Sequence, residues 1–358
     1  MSAKTVGIDI QSTIGPKTGI GYYTENLIKS YGQTDNIDFI YYKNSDITTL
    51  DTLTRVKWES FCLPAYAKKD NIDILHITGF AGPAVKGKYK RVTTVHDLIG
   101  MIYPKNLAPV SRFYWQKLLP FCIKKSDFII ADSENTKRDI INFIGFPSER
   151  IKVIYLAADK RFKPIEKLPE RKKILEKYGI NKKYVLNVGT VEPRKNIPRL
   201  IEAFSVYIKE SKLEDLVLVI AGKKDWGYEK CRQKIEELGI GERIIFCDYV
   251  NDEELVILYN LAEAFIYPSF YEGFGLPVLE AMSCGVPVIC SQISSLPEVA
   301  EYAGIYIDPS DIGSIKAALS DALKNKESLS ARSLKQAGKF SWEKTAAETI
   351  NVYKEVLN

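Results

Sequence analysis

Short β-branched runs alternate with amphipathic stretches from one end of this chain to the other, and the alternation passes through two rounds. In the first round the runs Thr5–Ile10, Asp38–Lys43, Asp73–Thr78, Arg91–His96, Asp127–Asp132 and Ile151–Leu156 predict strands. Helical patterns lie between them, as at Gly21–Ser30, Pro109–Lys125 and Glu134–Ile144. In the second round the strands are Tyr184–Val188, Leu216–Ala221, Arg243–Cys247, Ala264–Tyr267, Val286–Cys290 and Gly304–Ile307. Their helices include Pro198–Lys209, Tyr228–Leu238, Asp252–Ala262, Pro277–Ser283 and Gly313–Lys324. Strands alternating with helices argue for a parallel sheet covered on both faces. The polar, proline-bearing stretch Arg161–Pro169 divides the rounds as a linker. A chain of 358 residues also exceeds the usual limit of one core, about 250–300 residues. The reading is therefore an α/β chain with a domain over 1–165, a second over 166–340, and a last helix over 341–358 that can cap either.

Ligands of open parallel sheets bind outside the carboxyl ends of the strands. The conspicuous polar and glycine residues fall there: Gly19, Gly21, His96, Ser133, Thr190 through Lys195, Gly222, Tyr249, Ser269 through Gly275, and Ser291. The expectation is one site served by two sheet edges facing across a cleft.

Composition removes several alternatives. The N-terminal apolar run Val6–Ile10 is too short for a secretory leader, and no stretch nears the roughly 20 apolar residues of a membrane span. A cytoplasmic chain, dissolved or bound peripherally, is expected. The six cysteines form no C-x-x-C pair and read as buried thiols, and with only His76 and His96 available a metal site is not expected. Residues 1–165 carry 24 Lys+Arg against 16 Asp+Glu, whereas the remainder carries 26 against 29. The basic half suits an anionic partner such as a membrane surface, or is simply a solvated basic surface. The charge is diffuse and no recognition module for nucleic acid is present.

The segment Tyr267-Pro-Ser-Phe-Tyr-Glu-Gly-Phe-Gly-Leu-Pro-Val-Leu-Glu280 carries the most chemistry. A strand ends, a loop with Gly273 and Gly275 follows, and a helix opens with Pro277 in its first turn. Such a terminus suits a diphosphate, and glycines let the ligand approach the backbone. Glu272 and Glu280 beside it suit acceptance of hydrogen bonds from sugar hydroxyls. The competing reading is a turn with two solvated glutamates. Thr18-Gly-Ile-Gly21 is not a dinucleotide fingerprint, because the loop Gln11 to Lys17 separates it from the first strand.

The segment resembles the Glu-x7-Glu signature of the retaining glycosyltransferases of family 4, which have the GT-B fold. Further pieces agree in order along nearly the whole chain. They are Thr18-Gly-Ile-Gly21, Thr94-Val-His-Asp97, Ala131 through Lys137, Val188-Gly-Thr-Val-Glu-Pro-Arg-Lys-Asn196, Ile220-Ala-Gly222, Phe246 through Val250, and Phe340-Ser-Trp342. The resemblance implies two Rossmann-like domains, with acceptor on the first and nucleotide sugar on the second. It implies that the last helix packs back onto the first domain.

By the same resemblance, Glu280 holds the ribose, Glu272 contacts the donor sugar, and Gly273, Phe274, Gly275 and Leu276 offer amides to sugar and diphosphate. Tyr249 and Val250 lie along the base, and Gly19 and Gly21 touch the diphosphate. His96 faces the reacting centre, although a helix-capping histidine is the plainer alternative; His76 reads as mostly structural. The chain lacks Asp-x-Asp, so Arg194 and Lys195 are expected to neutralise the leaving diphosphate without a metal or other cofactor. Asn196-Ile-Pro198 after them reads as an N-cap and helix start. Many relatives have arginine after the glycine at Gly189, where this chain has Thr190. Ser133 reads as a helix N-cap.

The function expected is therefore transfer of a hexose from a nucleotide sugar, GDP-mannose or a UDP-hexose. The acceptor would be a saccharide or polyprenyl-linked saccharide, in cell-surface polysaccharide or glycan assembly. The alternatives are a sugar-nucleotide 2-epimerase and a non-catalytic nucleotide-sugar-binding protein. The loops Gly79–Pro83 and Leu98–Trp115 are expected to meet the acceptor. The second has aromatic and basic side chains that suit stacked sugars or a polyprenyl-phosphate headgroup at a membrane.

Overall fold

The computed structural model describes residues 3–15, 19–32, 36–49, 51–79, 81–166 and 170–358, with the Asn106 side chain excepted. Thr18, at the head of the glycine loop, lies outside this set, as do Lys17 and Lys167 through Pro169. The chain forms two compact units, one of Met1–Ala157 with Ser341–Asn358 and one of Ala158–Phe340.

The first unit holds β1 (Lys4–Asp9), β2 (Ile37–Tyr42), β3 (Ile74–Ile77), β4 (Lys90–Val95), β5 (Phe128–Ala131) and β6 (Ile151–Val153). They form one parallel sheet in the order β2-β1-β3-β4-β5-β6. Side chains alternate between its faces, as a strand requires. Val6, Ile8, Ile74 and Val92 go to one face, where Val352 and Tyr353 of the last helix cover them. Leu75 and Ile77 go to the other, against Trp58 and Leu63.

Two helical runs on this second face contain wide π turns. One joins Thr52–Lys57, Trp58–Cys62 and Leu63–Lys69; the other joins Pro109–Phe113, Tyr114–Leu118 and Leu119–Ile123.

The helix Trp342–Leu357 completes the first unit. Ser341 caps it by accepting from the Lys344 amide, and Thr345 donates to the Tyr155 carbonyl at 2.7 Å. Its Tyr353 hydroxyl sits 2.7 Å from the Tyr31 hydroxyl and 2.6 Å from Nδ1 of His76. Nε2 of His76 meets the Thr94 hydroxyl at 2.9 Å, and that hydroxyl meets the Tyr23 hydroxyl at 3.0 Å. His76 is fully buried and its pKa falls to about 3, mainly through burial and secondarily through the charge of His96. It is a structural histidine.

The second unit holds β7 (Lys183–Val188), β8 (Leu216–Ala221), β9 (Ile244–Asp248), β10 (Ala264–Tyr267), β11 (Val288–Ser291) and β12 (Gly304–Ile307). The order is β12-β11-β10-β7-β8-β9, again parallel. The strand order reverses between β7 and β10, so the loops leaving these two neighbours diverge and open a crevice between them. The helices Ile197–Glu210 and Ile312–Lys324 bury Leu200, Phe204, Ile315 and Leu319 against one face.

Candidate active site

The crevice of the second unit is built from the loop after β7, residues 189–196, and the loop after β10, residues 268–275. Glycine is required where the first of these meets its neighbour. Gly222, with φ of +155°, brings its α-carbon so close to the loop that a β-carbon would lie 2.1 Å from the Gly189 carbonyl oxygen. The Gly189 amide meanwhile donates to Ala221 at 2.8 Å. Thr190 is half-buried beside it.

Three sequence-expected residues converge across the crevice. Oε1 of Glu272 lies 2.7 Å from both Nζ of Lys195 and a guanidinium nitrogen of Arg194. Arg194 also donates to the Tyr271 carbonyl at 2.6 Å and pairs with Glu192. Lys195 donates to the Tyr267 hydroxyl and sits 4.6 Å from that ring's centroid. Two cations against one buried carboxylate fix the protonation state. Burial raises the Glu272 pKa, but the charges of Lys195 and Arg194 outweigh it and hold the carboxyl below its usual range. Lys195 moves down, chiefly through burial, with Arg194 assisting and Glu272 opposing. Burial lowers the Arg194 pKa, but Glu272, Tyr267 and Glu192 together outweigh it and raise it.

Asn196 does not cap the following helix as its sequence context suggests. Its φ is +59°, and its side chain makes no cap hydrogen bond; its side-chain Nδ2 donates instead to the Pro309 carbonyl at 2.7 Å. The positive φ turns the chain sharply so that Lys195 points into the crevice while Ile197 enters the core. Ser133, by contrast, caps its helix, accepting from the Thr136 amide at 3.0 Å.

The loop carrying Glu272 is held by two serines that lie outside the sequence motifs. Ser294 accepts from the Glu272 amide at 2.8 Å and donates to its carbonyl at 2.5 Å. Ser295 donates to the carbonyls of Glu272 and Phe274, both at 2.9 Å. Their signal was their place just after β11, at the same sheet edge. Gly275, with φ of +104°, precedes the helix Leu276–Ser283. Gly273 and Phe274 are buried at its entrance. Glu280 on that helix accepts from the hydroxyl of Tyr259, which lies on the helix Asp252–Leu261, at 3.0 Å. Burial pushes the Glu280 pKa up to about 7 despite this bond. Beyond β9, the Tyr249 side chain is 73% exposed while Val250 is buried.

In the first unit, Gly19 and Gly21 open the helix Gly19–Ser30. His96 follows β4, with both ring nitrogens engaged: Nδ1 with Asp132 at 2.5 Å and Nε2 with the Thr78 carbonyl at 2.9 Å. A carbonyl oxygen only accepts, so Nε2 carries a proton. Burial lowers the His96 pKa, but the Asp132 charge and these hydrogen bonds reverse the shift and raise it. The raised pKa favours the protonated ring, paired to buried Asp132 and packed edge-on to Tyr23 at 4.7 Å. When protonated it offers positive charge, with both N–H groups aimed at protein acceptors. Beside it lies a cavity of about 240 Å³ lined by Ile20, Asp97, Ile99, Trp115, Leu119 and Ile123 among others.

Residues 170–340 match the family described as glycosyl transferases group 1, and residues 33–162 match glycosyltransferase family 4. The chain is 38% identical over 272 residues to the O-antigen chain mannosyltransferase B of Escherichia coli, covering 74% of this chain and 70% of that protein. It is 32% identical over 283 residues to the serotype-specific mannosyltransferase WbdA of Escherichia coli, covering 77% of this chain but 34% of that protein. Among solved structures, sucrose-phosphate synthase from Thermosynechococcus elongatus superposes with a TM-score of 0.74 at 19% identity, covering 99% of both chains. Anabaena HepE in complex with UDP and glucose gives 0.74 at 17% identity, covering 98% of this chain and 100% of that one. These structural likenesses are of fold, the GT-B glycosyltransferase fold.

Proposed function

The chain belongs to the group 1, family 4 type of glycosyltransferases, and from that premise we propose that it moves a mannosyl residue from a nucleoside-diphosphate sugar to a saccharide acceptor. The acceptor is a lipid-linked glycan of the kind assembled at cell surfaces, and the anomeric configuration is retained. The mannosyl assignment is supported by the relatives, which are described as O-antigen and serotype-specific mannosyltransferases. GDP-mannose is the first candidate donor and a UDP-hexose the second.

One observation carries the catalytic reading: Arg194, Lys195 and Glu272 meet at the β7/β10 crevice. As the bond from the anomeric carbon to the phosphate oxygen breaks, negative charge gathers on the diphosphate. Two fixed cations in a water-poor crevice stabilise that charge far better than they would in bulk water. Glu272 keeps both charged and placed before the donor arrives, then accepts hydrogen bonds from the sugar hydroxyls. The acceptor oxygen bonds to the anomeric carbon on the face the phosphate leaves, and its proton passes to a phosphate oxygen. Glu280 accepts from the ribose hydroxyls.

The test is incubation of the purified protein with GDP-mannose and UDP-hexoses and a panel of saccharide acceptors, with the product's anomeric configuration read by NMR. A retained product and binding of one nucleotide in preference to the others are expected. Absence of transfer, donor hydrolysis and nucleotide binding together overturns the reading, and an inverted product overturns the stereochemistry. A Glu272→Gln variant with full activity removes that residue from its role.

A further inference from the structure

We propose, on the functional reading above, that Tyr267 is a positioning residue for the transfer: its hydroxyl holds the Lys195 ammonium between Glu272 and the place of the donor diphosphate.

Tyr267 is the last residue of β10 and is buried, its ring stacked on Phe265 with centroids 5.7 Å apart. For that packing a phenylalanine would serve as well, and it would take no polar atom out of water. A buried phenol hydroxyl needs partners, and the partners it takes tell what it is for. On the adjacent strand β7, the buried Tyr184 hydroxyl donates to a main-chain carbonyl, that of Leu258, at 2.7 Å. That bond ties strand to helix and does nothing more. The Tyr267 hydroxyl meets two ionised side chains instead. Its oxygen accepts from Nζ of Lys195, and its proton goes to Glu272. Burial first, and the Glu272 charge second, push the Tyr267 pKa well above its ordinary range, so the group keeps that proton to give. Lys195 also donates to Glu272 directly, at 2.7 Å, so lysine, tyrosine and glutamate close a ring of hydrogen bonds.

An ammonium has three N–H groups and no acceptor. Among the described residues, Tyr267 and Glu272 occupy two of those of Lys195. The third is left for a diphosphate oxygen. A β-carbon on Gly189 would stand 3.3 Å from Cε and 3.6 Å from Nζ of Lys195. The ammonium therefore lies over the Gly189 backbone, just past the end of β7, where the crevice opens.

Without the Tyr267 hydroxyl, Lys195 has only the carboxylate to follow. Its nitrogen is then drawn toward Glu272, which Arg194 already neutralises, and away from the donor. Its charge also loses an acceptor in a buried setting. The Lys195 pKa is already lowered, chiefly by burial, with Glu272 opposing and Arg194 assisting. A hydrogen bond to the charged form favours that form, so removing one lowers the pKa further. A neutral amine does nothing for the charge gathering on the leaving diphosphate.

The test measures kcat, donor KM and their pH profiles for the full wild-type chain, Tyr267→Phe, Lys195→Ala and the double variant. The donor is whichever of GDP-mannose and the UDP-hexoses the wild type uses. Tyr267→Phe should lower kcat about tenfold, the size of one hydrogen bond to a charged group, and leave donor KM within about threefold. Its kcat should begin to fall at a lower pH on the alkaline side than that of the wild type. In the Lys195→Ala background the same change should cost less than about twofold, because the hydroxyl acts through the lysine. Replacing Tyr267 with a ring-fluorinated tyrosine keeps the shape and weakens the oxygen as an acceptor. It should move the alkaline limb the same way by a smaller amount, and it decides the matter where Tyr267→Phe fails to fold. Equal losses in both backgrounds, or an alkaline limb that stays in place, reduce the hydroxyl to packing and overturn the proposal. A wild-type chain without transfer removes the functional reading alone, and the same cycle is then read on the dissociation constant of GDP or UDP. A chain that also binds neither nucleotide overturns both.

Discussion

Glu272 and Glu280 sit eight positions apart in sequence, yet their protons are held in opposite ways. Glu272 faces two cations and stays ionised, whereas Glu280 has a tyrosine hydroxyl and little solvent, and burial pushes it up to about 7. A carboxyl raised on folding binds its proton more tightly in the folded chain, so its contribution to stability falls as pH rises from its ordinary value toward 7. For ligand binding the sign matters differently: ribose hydroxyls need the carboxylate. The dissociation constant for a nucleoside diphosphate, followed by calorimetry, should rise by up to tenfold per pH unit below about 7. Glu280→Gln should flatten that slope, and a flat wild-type profile separates Glu280 from the ribose. His96 gives the converse case. Its pKa is raised, so its pairing with Asp132 stabilises the first unit below pH 6.5 and fades as pH rises through the folded value. Denaturant unfolding of Asp132→Asn should therefore show a loss of about 3 kcal/mol at pH 6 and a smaller one at pH 9. The candidate residues themselves were legible as motifs. Their ionisation was not, because Lys195 and Glu272 are 77 residues apart and meet only through strand order.

At the scale of elements, the alternation of β-branched and amphipathic runs places each of the twelve strands among the described residues to within a few residues. Such runs are buried on both faces and read cleanly. The helical run 52–69 was missed for a physical reason. Exposed Leu53, Phe61 and Tyr66 interrupt the lysines on its outer side, so no clean polar stripe marks it, and its π turn breaks the 3.6-residue period. The polar helices Arg171–Lys177 and Lys326–Ala337 were missed because their apolar stripe is thin. The helix Leu276–Ser283 was found from Pro277 and the glycines, and its entry can be tested. A β-carbon at Gly275 would stand 2.6 Å from a Leu296 methyl, on a backbone of φ +104°. Gly275→Ala should cost about 1–3 kcal/mol in chemical denaturation and weaken nucleotide binding, since it shifts the helix terminus beside Glu272.

Across the whole molecule, the first sheet is completed by residues 341–358, far away in sequence. An amphipathic pattern announces that a helix is buried without naming its partner, so the sequence left either domain open until the resemblance to family 4 was drawn. The polar chain Tyr31–Tyr353–His76–Thr94–Tyr23 decides it. Tyr353→Phe leaves buried His76 short of one partner and should cost the first unit about 1–3 kcal/mol, visible as an earlier thermal transition. The nucleotide affinity of the second unit should be unchanged. A discontinuous sheet unit also has a consequence during synthesis. A ribosome makes about 5–20 residues per second, so roughly ten to forty seconds separate the last strand of the first sheet from the helix that covers it. Throughout that interval Val6, Ile8, Ile74 and His76 lack their wall, and the nascent chain exposes the surface that chaperones bind. The half of the enzyme made first is the half that finishes folding last.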